Sequence, residues 1–129
     1  MLVICVFAWL VIRDAWLCDD AFITLRVIEN FHNDYGLRWN VVERVQVFTH
    51  PLWCLTLLVV GRVFENLPLA LLWFSIVVSI AAFAMIVPRP GRHNSDLVLL
   101  ALLIPASKAV VQYSTSGLEG PLSVLLLAR

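Results

Sequence analysis

Residues 67–87 read L-P-L-A-L-L-W-F-S-I-V-V-S-I-A-A-F-A-M-I-V, about twenty positions without a single charge. At 1.5 Å per residue, such a run makes roughly 30 Å of helix, the thickness of a bilayer's hydrocarbon core. The rest of the chain has the same character. Of 129 residues, 61% are hydrophobic and 14% charged, with a mean hydropathy of +0.91. Soluble domains carry about a quarter charged residues, so the expected class is an all-α membrane protein. Nine basic residues balance nine acidic ones, leaving no cationic surface to release counterions from a nucleic acid. Cys5, Cys18 and Cys54 have no C-x-x-C spacing and read as apolar packing residues, a Cys18–Cys54 bridge being the alternative. His32, His50 and His93 show no ligand spacing, which argues against zinc.

Outward from 67–87, the apolar pattern divides the chain into further segments. Residues 1–18 are expected to form a first span, its apolar run continuing past Arg13 and Asp14 through Trp16, Leu17 and Cys18. The start lacks the cationic end and small-residue cleavage site of a signal peptide. Residues 19–50 are polar and form an aqueous loop. Residues 51–64 are apolar but too short to cross a bilayer, which favours an interfacial or re-entrant helix. Residues 97–112 make another span, interrupted by Pro105 and Lys108, and 117–129 begin the next. Both ends stop inside apolar stretches, so a fragment of a longer polytopic helical bundle is expected. The loop Pro88 to Asp96 carries Arg89, Arg92 and His93, and short Arg-rich loops stay cytoplasmic. With 51–64 not crossing, the 19–50 loop and the Thr115–Glu119 turn then face outward together.

Residues 20–33 of that first external loop read as an interfacial amphipathic helix. At 100° per residue Asp19, Arg26, Asn30 and Asn33 share one polar stripe, with Glu29 at its edge; Ala21, Leu25, Ile28 and Phe31 lie opposite. Asp34-Tyr35-Gly36 ends the helix, with Gly36 the expected left-handed cap. Residues 37–50 are expected to be an extended loop.

The candidates for chemistry sit on this outer side. Asp19 and Asp20 form an acidic pair at a membrane edge, where carboxylates persist only if water or a cation reaches them. One would act as general base or divalent-cation ligand and the other would support it; the competing reading is a helix cap. Arg26 suits a lipid phosphate, against a snorkelling residue paired with Glu29 or Asp19. Ser116-Gly117-Leu118-Glu119 has the spacing of a capping box, against a role for Glu119 in an outer pocket. Lys108, within a span, either serves function or snorkels outward.

The blocks D-D-A-F-I-T-L-R-V-I-E-N-F (19–31), D-Y-G-L-R-W-N (34–40), E-R-V-Q-V-F-T-H-P-L-W (43–53) and T-S-G-L-E-G-P-L (115–122) occur in an order that resembles the N-terminal part of GT-C superfamily membrane glycosyltransferases. The nearest likeness is to the terminal arabinofuranosyltransferases of mycobacterial cell walls. It covers residues 15–53 and 113–122, the apolar remainder matching only in character. Gln46-Val47-Phe48 and Thr49-His50 depart from the Gly- and Asn-containing versions usual there, which leaves the acceptor open.

The resemblance implies a polyprenyl-phosphate-linked sugar donor and inversion at the anomeric carbon. The acceptor would be a cell-envelope glycan, lipid or protein, on the outer face of the bacterial inner membrane. Asp19 and Asp20 are then the catalytic residues, with Asp19 able to hold a divalent cation (Mg, Mn or Ca) and no other cofactor expected. Arg26, Asn30 and Glu119 would contact substrate. From a different class, a transporter or flippase would place facing charges near mid-membrane, and a non-catalytic anchor would use both Asp side chains as caps.

Overall fold

The computed structural model describes residues 2–43, 45–87 and 95–128; Arg44 and most of the Arg-rich loop, residues 88–94, lie outside them. All regular structure among the described residues is helical. The helices are α1 (Leu2–Arg13), α2 (Asp19–His32), α3 (Pro51–Val63), α4 (Leu67–Ile86), α5 (Ser95–Ala106), α6 (Lys108–Tyr113) and α7 (Gly120–Leu127).

Helix α4 is the spine. Asn66 caps its N-terminus by accepting a hydrogen bond from the Leu69 N–H at 3.1 Å, and Pro68 sits in the first turn, where its missing N–H removes nothing. Among the described helices it alone is long and apolar enough to cross a membrane; α1 and α3 are apolar but shorter. Two cores form against it. One joins Ala21, Leu25, Val27 and Ile28 of α2 to Trp53, Cys54, Leu57 and Leu58 of α3 and Leu71 of α4. The other joins Phe7 and Val11 of α1 to Ile76 and Phe83 of α4 and Val111 of α6, with the Phe7 and Phe83 rings 4.3 Å apart. Thus α2 packs across the N-terminal part of α4, and α1 packs further along it.

The outward surfaces stay apolar. Val6, Trp9 and Ile12 of α1, Leu52, Leu55, Val59 and Val63 of α3, and Leu69, Trp73 and Val77 of α4 are exposed at helical spacing. An amphipathic helix of a water-exposed surface would put charge there instead. All three cysteines are free thiols, Cys54 lying in the first core and Cys18 packed against it.

Four local expectations are corrected. Helix α1 stops at Arg13 rather than continuing to Cys18. Residues 15–18 leave the helix because the Trp16 and Cys18 backbone N–H groups and the Trp16 indole N–H are drawn into hydrogen bonds with the segment 112–116. The 97–112 span is two helices, broken at Ser107 and not at Pro105. Pro105 is accommodated near the end of α5, while the Ser107 hydroxyl accepts the Val110 N–H and starts α6. The left-handed residue that ends α2 is Asp34 (φ 65°), with the Tyr35 N–H bonded to the Asn30 carbonyl in a Schellman arrangement. Gly36 (φ 81°) turns the chain two residues later. Finally, the 116–119 capping box does not form: α7 begins at Gly120, and the Ser116 hydroxyl donates to the Tyr113 carbonyl.

Candidate functional site

The segment Ser114–Glu119 is the hub of the molecule. Ser114, Thr115, Ser116 and Gly117 are buried although three of them are polar. Buried backbone must find partners, and here the partners come from three distant stretches. From the α1–α2 junction, the Cys18 N–H donates to the Ser116 carbonyl at 2.9 Å, the Trp16 N–H to Thr115 Oγ1, and the Trp16 indole N–H to the Gln112 carbonyl. From α3, the buried Trp53 indole N–H donates to the Gly117 carbonyl at 2.9 Å. From α4, the Ser79 hydroxyl donates to the Ser114 carbonyl at 2.7 Å. Gly117 has φ +87°, and a Cβ there would lie 2.6 Å from the Ala21 Cβ. Only glycine fits that approach.

This hub sets the position of the acidic pair. Cys18, whose N–H is fixed by Ser116, is the N-cap of α2 and makes no side-chain cap bond. Asp19 and Asp20 therefore form the first turn of α2, both exposed, beside the buried contact of Ala21 with Gly117. Neither carboxylate has a hydrogen-bond or ion-pair partner among the described residues. The capping alternative required both to receive backbone N–H groups, and neither does. Acidic residues in a helix's first turn still meet its favourable dipole.

Glu119 closes the same hub from the other side. His50 Nε2 lies 3.0 Å from Glu119 Oε1, while Oε2 is buried with no partner among the described residues. His50 sits one residue before α3 and three before Trp53, so the His-Pro-Leu-Trp block grips Glu119 and Gly117 together. An unpartnered buried carboxylate oxygen is costly. His50 was not among the residues singled out by spacing, because its partner is 69 positions away.

Arg26 and Asn30 stand further along α2. The Arg26 guanidinium lies over the Trp39 ring, 4.7 Å from its centroid, and pairs with neither Glu29 nor Asp19. Stacking fixes the plane and leaves the N–H fork available to a phosphate. Seven residues separate Arg26 from Asp19, about 10 Å along the same helix face. The Asn30 amide donates to both the Arg38 and Trp39 carbonyls. Its donors therefore hold the loop that carries Trp39 instead of facing substrate. Lys108 opens α6 exposed, near enough to Asp14 to be felt electrostatically.

No group of three or more His, Cys, Asp or Glu side chains among the described residues converges as a metal site. Magnesium-like ions need only one or two protein carboxylates, with water and substrate phosphate completing the shell. Asp19 supplies one, while Asp20, its neighbour in the same helical turn, projects about 100° away. Behind the hub, an apolar cavity of about 320 Å³ is lined by Phe7, Phe83, Ile104, Tyr113, Ser114 and Val124.

No protein-family model, curated protein or solved structure matches the chain.

Proposed function

We propose that this chain is a polytopic membrane glycosyltransferase that moves a sugar from a polyprenyl-phosphate donor to a cell-envelope acceptor on the outer face of the bacterial inner membrane. One observation carries the reading. The acidic block at 19–20, the His-Pro-Leu-Trp block at 50–53 and the Ser-Gly-Leu-Glu block at 116–119, far apart in sequence, meet at a single hub, and the two Asp carboxylates stand free beside it.

In this reading Asp19 removes the proton of the acceptor hydroxyl as its oxygen attacks the anomeric carbon from the face opposite the phosphate. The bond from that carbon to the phosphate oxygen breaks, and polyprenyl phosphate leaves with the electron pair. Asp20 supports Asp19, Arg26 contacts the donor phosphate, and Glu119, held by His50, braces the turn beside the pair. A divalent cation at Asp19 would neutralise phosphate charge when bound. Asn30 acts at one remove, by holding the loop under Arg26. The apolar cavity behind Ser114 and the apolar outer faces of α1, α3 and α4 support a lipidic setting for this chemistry.

The position of the acids also weighs between readings. A transport path would bring charges together at mid-membrane, whereas Asp19 and Asp20 stand at the N-terminal end of the α2 layer. The test is sugar transfer by membranes carrying the protein, supplied with polyprenyl-phospho-sugars. Asp19→Asn is expected to lower the rate at least 100-fold, the scale of losing a general base, and Asp20→Asn less. Wild-type rates in both variants would remove the catalytic assignment.

A further inference from the structure

A second feature of the described residues, a wide groove, lies away from the hub. It lies between α2 and the α3–α4 turn, holds about 1020 Å³, and is lined by charged and polar as well as apolar side chains. Arg26 and Glu29 line it from α2, Glu65 and Asn66 from the turn. None of the three charged groups has an ion-pair partner among the described residues. His32, which also lines it, is engaged with the Leu58 carbonyl. Phe64, Glu65 and Asn66 also line a second, adjacent groove of about 580 Å³, whose lining is almost wholly apolar. Leu69, Trp73 and Val77 form its floor, and all three are exposed. That stripe descends about 12 Å along α4, most of one leaflet of a ~30 Å hydrocarbon core.

One free cation, two free carboxylates and an apolar track leading away from them describe a specific amphiphile. We propose that this double groove binds a bilayer phospholipid whose headgroup carries a primary amine, with phosphatidylethanolamine as the fitting class. Arg26 takes the phosphate. Glu29 and Glu65 accept the ammonium N–H donors from two sides, and an acyl chain lies along Leu69, Trp73 and Val77. A trimethylated headgroup has no N–H to give those carboxylates, and a purely anionic headgroup meets two like charges for one Arg. The inference rests on the membrane placement of α4 in the preceding reading, and not on sugar transfer. Because Arg26 is also the donor-phosphate contact of that reading, lipid and donor exclude one another there.

The experiment is native mass spectrometry of the protein purified in mild detergent and titrated with ethanolamine, choline and glycerol phospholipids of matched chains, without donor. Ethanolamine lipid is expected to be retained about tenfold over the other two, the scale of one charge-assisted hydrogen bond. Glu29→Gln with Glu65→Gln should abolish the preference, lowering ethanolamine-lipid retention to the level of the choline lipid. Arg26→Gln should weaken both. Circular dichroism confirms that each variant keeps its helices. Equal retention of all three lipids, preference for the glycerol lipid, or a preference that survives the double Gln variant would overturn the site. A protein that leaves washed membranes with the soluble fraction would instead remove the membrane placement itself, and this inference with it.

Discussion

Gly117 is where the molecule tolerates least. Its φ of +87° lies in the left-handed region, and a Cβ there would press on Ala21, Leu17 and Leu71 at once. Leu17 belongs to the α1–α2 junction, Ala21 to α2 and Leu71 to α4, so no single side chain can step aside. Gly117→Ala should destabilise the fold by about 3 kcal/mol, combining backbone strain with overpacking. Thermal unfolding in detergent, followed by circular dichroism, should show a clear fall in midpoint; an unchanged midpoint would mean that the hub is looser than its geometry. His50 teaches a related lesson about reading sequence. As an isolated histidine it offers no spacing signal, and its importance comes from Glu119, whose second carboxylate oxygen is buried and unpartnered. Asn30 shows the reverse. Its place on the polar stripe is read correctly from 100° periodicity, but what its amide binds depends on the path of residues 38–39.

At the scale of elements, length and apolarity made α4 legible, and the polar stripe made α2 legible to within a residue at each end. What was not legible were the breaks. Ala15 to Cys18 are acceptable helix residues, and nothing local stops α1 at Arg13. It stops because distant Gln112, Thr115 and Ser116 accept hydrogen bonds from Trp16 and Cys18. In the same way Pro105, the conspicuous breaker, is accommodated within α5, and Ser107 makes the break. The two buried serines of α4 provide a controlled test of the hub's attachment. Ser79 donates to the Ser114 carbonyl, whereas Ser75, equally enclosed, has no partner among the described residues. Ser79→Ala should destabilise by about 1–3 kcal/mol, the usual consequence of leaving a buried acceptor unmet, while Ser75→Ala should leave the unfolding midpoint unchanged or raise it. Equal losses in the two variants would contradict the hydrogen-bond pattern.

For the whole molecule, the proposed reading puts the acidic pair outside and the Arg-rich loop at 88–96 inside, the orientation expected from the positive-inside tendency. Helix α2 packs on α4 at Leu71, in the N-terminal part of α4, and Ile86 lies at the other end of that helix. Every step of the proposed transfer needs Asp19 in water on the outer side. Side-specific labelling decides this without knowledge of donor or acceptor. Asp19→Cys is introduced with Cys5, Cys18 and Cys54 replaced by Ala, and right-side-out spheroplasts are treated with a membrane-impermeant maleimide. The expected result is labelling as complete in intact spheroplasts as after permeabilisation. Labelling only after permeabilisation would put the acidic pair on the cytoplasmic side and contradict the proposed site.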